Sequence, residues 1–549
     1  MPDSIGIERP KRPEHGDYST NVAMAITKMV GQPPRAIAEA LVKALAGDAM
    51  IASAEVAGPG FVNLRLRPEA LHEELREILD QGRGYGRGPA ASGERIDLEF
   101  VSANPTGPLL VSHARGAIVG DTLGRVLEAA GHVVIREYYV NDFGNQVRLF
   151  ADSVAAVAEN KPVPEGGYQG EYVKDVAEAV KVANPALLTG DRTELARTCV
   201  TLMLRGIKHS LASMRVHFDV WFSEESLHRW GAVALALKEL EKAGALTRKD
   251  GAVFFTGKGA EADKDRVVEK SDGTYTYFAS DIAYHSDKLS RGYDRLIDVL
   301  GADHHGYVAR IRNVLEALGL PSERFEALLF QLVFIQRGGE MVKTSKRAGN
   351  IVTADEVISE IDSAAGRTGA GADALRFFYL LRSHTMNVEF DIELAKKKTL
   401  DNPVFYVQMG HARLCSILRN AAEQKYTAAN DLGKLGDEEL TITRKLSDFP
   451  GVLAQAAEAR EPHRLAFYVQ DLAREFQSYF TRMKGDPILP GKQTRAISGW
   501  ETTWDHEKTR ARLAWVRAVR TVYASALELC GVSAPERMDK PAEEQEEEP

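Results

Sequence analysis

Three stretches of this chain hold side chains whose types and spacing suit chemistry on phosphates and on a cation. Residues 99–120 read EFVSANPTGPLLVSHARGAIVG. Proline and glycine lead the chain here from a β-rich run into a helix. His113 falls in that helix's first turn, where orphan N–H groups and the helix dipole favour an anion such as phosphate. Residues 343–349 read KTSKRAG and place Lys343, Lys346 and Arg347 on a short loop, with Gly338, Gly339 and Gly349 around it. Mobile cations of this kind meet the charge that builds on a phosphate leaving group. Tyr277 and Asp281 stand four apart, on one helix face if their segment is helical. Each stretch alone also admits an ordinary reading: a capped strand–helix connection, a solvated basic loop, a surface pair.

The elements that must position these groups follow from periodicity. Residues 96–101 are rich in β formers, 102–108 (SANPTGP) are turn-formers, and a helix begins around Ser112. That helix carries Val119, Leu123, Val126 and Ala130 at helical spacing, Gly131 ends it, and residues 133–140 (VVIREYYV) read as a second strand. Parallel strands joined by one helix imply a doubly wound α/β sheet, with ligands at the carboxyl ends of its strands. Ahead of it, residues 1–85 form a candidate α+β unit, helical near 20–30 and 34–46 and β-like at 51–56 and 60–66. Glycine-rich residues 82–93 read as a linker. From 373 to 537 the pattern is almost wholly helical. Leu465, Val469, Leu472, Phe476 and Phe480 form one stripe, and Leu513, Val516, Val519, Tyr523 and Leu527 another.

A length of 549 residues allows three or four domains at about 150 residues each. With 44% hydrophobic and 27% charged residues, the chain can bury several cores, which excludes wholesale disorder. No repeat of 20–50 residues points to a solenoid or propeller. Cys199, Cys415 and Cys530 lie far apart, against both a disulfide scaffold and a CxxC cluster. The histidines show no HExxH or finger spacing, so no structural zinc is expected. Met1-Pro2-Asp3 opens no signal peptide, and no run of 18 apolar residues occurs; a cytoplasmic protein without membrane contact is expected. The formal charge of −9 argues against a uniformly basic surface, yet −5 of it sits in residues 539–549. A local basic groove for nucleic acid is therefore allowed.

In context, the stretch 99–120 resembles the first signature of class I aminoacyl-tRNA synthetases, and specifically that of the bacterial arginyl enzymes. The resemblance continues in EYYVNDFGNQ (137–146), YQGEY (168–172), DKDRVVEKSDGTYTYFASDIAYH (263–285), VLGADHHGYVAR (299–310), KTSKRAGN (343–350), DALRFFYLL (373–381) and NPVFYVQMGHAR (402–413). EHGDYSTNVAMA (14–25), EVAGPGF (55–61) and GVSAPERM (531–538) extend it in order over nearly the whole chain. The resemblance implies a small α+β N-terminal tRNA-binding domain (1–85) and a Rossmann-type parallel-sheet catalytic domain (86–370) with an insertion at about 147–262. An all-α anticodon-binding bundle (371–538) and a disordered acidic tail (539–549) complete the expected organisation.

It further implies an arginine–tRNA ligase that forms arginyl-adenylate from arginine and ATP and transfers the arginyl group to its tRNA, with tRNA required for the first step. Glu99, Tyr277 and Asp281 would hold the guanidinium, a planar cation that carboxylates satisfy bidentately. Ser102 and Asn104 would hold the α-amino end. Leu110, Ser112, His113, Asp303, His304, Lys343, Ser345 and Lys346 correspond to ATP-site positions, with His113, Lys343 and Lys346 catalytic. Mg²⁺ would arrive with ATP, and no tightly bound metal is expected. A monomer is the family expectation. Arg413 and Tyr406 are candidate anticodon contacts.

Three departures stand out. The first signature should read His-x-Gly-His, and here it reads Leu110-Val111-Ser112-His113. Leucine donates no hydrogen bond, and a serine side chain takes space where the adenine ring should lie. Only six residues lie between Met1 and Glu8, where relatives usually carry a further helix; a weaker contact of the first domain with tRNA is expected. Thr344 stands where the pattern has methionine, leaving both lysines and the serine in place. A second hypothesis is therefore a degenerate paralogue that binds tRNA or arginine with weak or no activation.

Overall fold

A computed structural model describes residues 6–10, 12–256, 266–342 and 351–538. Its centre is a sheet of five parallel strands in the order Phe325–Phe330, Arg295–Gly301, Arg95–Phe100, Val133–Val140 and Val220–Ser223. Helices cover both faces, as a parallel sheet requires. Ile96, Leu98 and Phe100 are buried on one face of the middle strand, against helix His113–Ala129. That helix lies very close to the sheet: a Cβ at Gly120 would stand 2.3 Å from the Phe100 ring. Glycine is what lets helix and strand meet there.

Successive residues of a strand face opposite ways, so Asp97 and Glu99 share the other face. The parallel register sets Asp298 and Glu137 on either side of Glu99 in the same rung. Four buried acids, Asp97, Glu99, Glu137 and Asp298, thus line one sheet face. Helix Tyr277–Ser290 packs over them and brings the cations that such burial demands.

Between strands Val133–Val140 and Val220–Ser223 the chain makes a helical excursion, Asn145–Ala158, Glu171–Ala183 and Arg192–Ser213. These three helices close their own core around Phe150, Val154, Val173 and Leu195. Ahead of the catalytic sheet, a four-stranded antiparallel sheet in the order Ile7–Glu8, Tyr18–Thr20, Phe61–Leu66 and Ile51–Ala57 packs on helix Pro34–Ala44 through Ala23, Ile37, Ala38 and Val62. The helix expected near 20–30 is present as two consecutive short helices, Val22–Ala25 and Thr27–Val30, entered from the short strand Tyr18–Thr20.

The C-terminal region is the expected bundle, with principal helices Pro403–Glu423, Asp437–Leu446, Phe449–Glu458, His463–Arg482 and His506–Leu529. Both apolar stripes face its core, and only Phe480 is partly exposed. One strand interrupts the helical pattern: Val388–Asp391 pairs in parallel with Val333–Arg337. Fully buried Arg376 locks bundle to catalytic domain, donating to Asp121 of the signature helix at 2.5 Å, to the Cys530 carbonyl at 2.8 Å and to the Met214 carbonyl at 3.0 Å. Among the described residues no helix is long and apolar enough to cross a membrane.

Candidate active site

The middle strand ends in an abrupt turn. Val101 and Ser102 take φ of +69° and +38°, a conformation costly for a β-branched residue and for any L side chain. The turn aims Ser102 back at the sheet: its Oγ donates to Glu99 Oε1 at 2.8 Å and accepts from the Tyr139 N–H at 3.1 Å. Two residues on, Asn104 donates through Nδ2 to Gln146 Oε1 at 2.8 Å. The three predicted residues Glu99, Ser102 and Asn104 therefore line the carboxyl end of one strand.

Tyr277 and Asp281 share one face of helix Tyr277–Ser290, as their spacing requires. Tyr277 opens the helix and is half-exposed; Asp281 lies one turn deeper. Burial pushes the Asp281 carboxyl up to about 7, with Glu224, Glu99 and Asp298 adding to the effect and His285 opposing it. Two carboxylates of the predicted set thus feel each other across a common space, and a third, Glu224, joins them.

Glu224 was not singled out in the sequence. It stands one residue beyond strand Val220–Ser223, is 2% exposed, and its Oε2 has no hydrogen-bond partner among the described residues. Burial and the acids Glu224, Asp281 and Glu99 together hold the Tyr139 phenol far above its ordinary range. His228, whose ring stacks on Phe143 with centroids 3.9 Å apart, closes one side of this region through a 3.1 Å contact with Ser280 Oγ. Three carboxylates gathered beside the phenols of Tyr139 and Tyr277 suit a multiply donating cation.

A second space lies across the signature loop. His113 is the first residue of helix His113–Ala129, and its Nδ1 accepts the Leu110 N–H at 3.2 Å. With Nδ1 so used, the neutral ring carries its proton on Nε2 and can donate there. Leu110 and Ser112 border a cavity of about 560 Å³ whose other walls include Val333, Ile335, Val342 and Val352. Leu110 is 9% exposed, so it acts as an apolar wall rather than a polar arm. Fully buried Arg115, one turn into the helix, donates to the carbonyls of Gln331, Leu332, Ser383 and Met386 at 2.5 to 3.2 Å and fixes the helix end against the neighbouring crossover. Asp303 and His304 lie just past strand Arg295–Gly301, both exposed, with 3.8 Å between His304 Nε2 and Asp303 Oδ2. Lys343, Ser345, Lys346 and Arg347 lie outside the described residues. No group of three or more His, Cys, Asp and Glu side chains among the described residues is arranged to hold a metal ion.

Comparison with known proteins places this geometry. Residues 74–368 match the family described as tRNA synthetases class I (R), catalytic domain. Residues 1–66 match the arginyl tRNA synthetase N terminal domain and residues 407–538 the DALR anticodon binding domain. The arginine–tRNA ligase of Desulforamulus reducens is 41% identical over 554 residues, covering 98% of this chain and 94% of its own length. That of Nitratidesulfovibrio vulgaris is 41% identical over 553 residues, covering 98% and 96%. The Thermus thermophilus arginyl-tRNA synthetase structure superposes with a TM-score of 0.77 at 24% identity over 98% of this chain and 97% of that one, which shows a shared fold.

Proposed function

The chain belongs to the class I arginyl-tRNA synthetases, and from that premise we infer that it is an arginine–tRNA ligase, with arginine, ATP as its Mg²⁺ complex, and the tRNA for arginine as substrates. The observation that carries the reading is the meeting of Glu99, Asp281 and Glu224 at the carboxyl ends of the central strands. Arginine enters with its guanidinium toward Glu99, Asp281 and Tyr277, which Glu224 joins, while Ser102 and Asn104 receive its α-amino end. Its carboxylate is then turned toward the signature loop.

There one carboxylate oxygen attacks the α-phosphorus of ATP, the bond to the β-phosphate oxygen breaks, and pyrophosphate leaves. The adenine lies against Leu110, Ser112 and the apolar cavity wall. His113 donates from Nε2 to the phosphates at the helix N-terminus, and Lys343 and Lys346 meet the charge growing on pyrophosphate. Asp303, His304 and Ser345 complete the nucleotide site. In the second step a hydroxyl of the tRNA's terminal adenosine attacks the arginyl carbonyl, and AMP leaves with the electron pair. A need for bound tRNA in the first step would mean that tRNA populates a site otherwise scarcely formed.

The remainder of the chain would hold the tRNA: residues 1–85 its outer part and 371–538 its anticodon, on either side of the catalytic domain 86–370 with its insertion 147–262. In the bundle, a groove of about 720 Å³ is lined by Lys397, Lys398, Arg413, Arg419 and Arg537. Arg413 lies 5.4 Å over the Phe480 ring and also donates to Gln477. Partly exposed Tyr406 can stack with an unpaired base, whereas Phe405 is core. A monomer in the cytoplasm fits this reading. The binding-only paralogue rests on Leu110 and Ser112 alone, and neither the pocket nor the relatives favour it. Aminoacylation with arginine against citrulline, its neutral isostere, tests the assignment. Buried carboxylates should favour arginine by about 10³-fold or more; comparable charging of both would overturn it.

A further inference from the structure

Beneath the arginine pocket lies a lysine that no part of the mechanism uses. Lys288, in the last turn of helix Tyr277–Ser290, has no exposed surface. Its Nζ donates to Glu99 Oε2 at 2.5 Å and to Asp298 Oδ1 at 3.0 Å, stands 3.7 Å from Asp97 Oδ2, and lies 4.5 Å over the Tyr284 ring. We propose that Lys288 is a positioning residue for arginine recognition, holding the Glu99 carboxylate in place beside Ser102 so that it can receive the substrate. This rests on the assignment of Glu99 to the arginine pocket.

The surrounding charges show why such a residue is needed. Asp97 on the same strand, and Asp298 and Glu137 on the two neighbouring strands, crowd Glu99 with like charge. From above, Asp281 and Glu224 add two more acids, and Tyr139 and Tyr307 face the same space. The remaining cations are already committed. Arg291 donates to both oxygens of Glu137, and His285 Nε2 sits 3.0 Å from Asp298 Oδ2. Lys288 is thus the cation in contact with Glu99 among the described residues.

The protons are distributed accordingly. Burial works against the charge of Lys288, but Asp298, Glu99, Asp97 and Glu137 overcome it and hold the ammonium well above the ordinary lysine range. Burial likewise pushes Asp97 up to about 7, with Lys288 opposing. Neither Asp97 oxygen has a hydrogen-bond partner among the described residues. Lys288 thus spends its donated hydrogen bonds on Glu99 and Asp298 and leaves Asp97 without one. Without the ammonium, the neighbouring acids crowd Glu99 unopposed and its carboxylate loses the contact that fixes it beside Ser102.

The test is the arginine KM and kcat of Lys288→Met and Lys288→Gln in tRNA-dependent pyrophosphate exchange, from about pH 6.5 to about pH 9. Lys288→Met should raise KM about thirtyfold at neutral pH, the lower end for truncating one partner of a buried charge pair, with kcat little changed. The unmodified enzyme is measured alongside. Lys288→Gln should lie between the two. In the double variant with Glu99→Gln, the lysine substitution should add nothing to the KM of Glu99→Gln alone. An unchanged KM, a fall in kcat as large as the rise in KM, or additive losses would overturn the proposal. So would failure of both single variants to bind tRNA, since that outcome makes Lys288 a folding residue. A normal KM for Glu99→Gln alone would instead sink the pocket assignment on which the proposal rests.

Discussion

Replacing Asp281 by asparagine tests the arginine pocket at the acid one helical turn from Tyr277, and the structure gives the size and the pH signature of the effect. The side chains are nearly isosteric, so the change removes charge and leaves shape. In the pocket, burial and the neighbouring acids lift the Asp281 carboxyl to about 7. The guanidinium stays cationic throughout, and the ionised acid is the form that binds it. Arginine affinity should therefore improve as pH rises through 7 and level above it. One unit below the midpoint about nine-tenths of the acid is protonated, which weakens binding about tenfold. The amide of the Asp281→Asn variant cannot ionise. At about pH 8 the variant loses a buried charge-assisted pair worth about 2 to 4 kcal/mol, raising KM about thirty- to a thousandfold. At about pH 6 the gap should shrink about tenfold, because the unmodified enzyme has by then lost most of the same interaction. Arginine titrations in tRNA-dependent pyrophosphate exchange at the two pH values measure both quantities. A KM within threefold of the unmodified enzyme at the higher pH, or a gap that does not change with pH, would refute the reasoning.

Glu224→Gln should raise the arginine KM about tenfold or more with a smaller effect on kcat, measured in the same exchange assay, because Glu224 Oε2 is buried without a partner of its own among the described residues. Gly531→Ala should destabilise the protein by about 3 kcal/mol or more, read as a fall in Tm or in soluble yield. Gly531 has φ +67°, and a Cβ there would lie 2.2 Å from the Arg376 guanidinium, displacing that buried cation from Asp121. Lys397→Glu combined with Lys398→Glu should weaken tRNA binding about tenfold or more and flatten its salt dependence, measured by titration at several ionic strengths, if the basic groove meets phosphates.

The signature region was legible in the sequence almost to the residue. Strand Arg95–Phe100, helix His113–Ala129 and strand Val133–Val140 follow from a change of period and from turn-forming residues, which are local signals. The Tyr277/Asp281 pair was legible for the same reason, since four residues make one helical turn. Glu224 and Lys288 were not. Each becomes meaningful only when the parallel register brings Asp298, Glu99 and Glu137 into one rung and lays a helix across them. Glu224 did leave one signal, its place just past a strand's carboxyl end, where parallel sheets bind ligands. The strand Val388–Asp391 was absorbed into a helical pattern because it is four residues long and its partner, Val333–Arg337, lies far upstream. Near residues 20–30 the helical pattern holds in Val22–Ala25 and Thr27–Val30, and strand pairing with Phe61–Leu66 takes only its first residue, Thr20.

The central claim is that this chain activates arginine even though Leu110 and Ser112 stand in its first signature. Pyrophosphate exchange by the unmodified protein, with arginine, Mg²⁺·ATP and the cognate tRNA, tests it most directly. The account predicts exchange that depends on both arginine and tRNA. Bound tRNA and arginine without measurable exchange, restored by Leu110→His with Ser112→Gly, would contradict it.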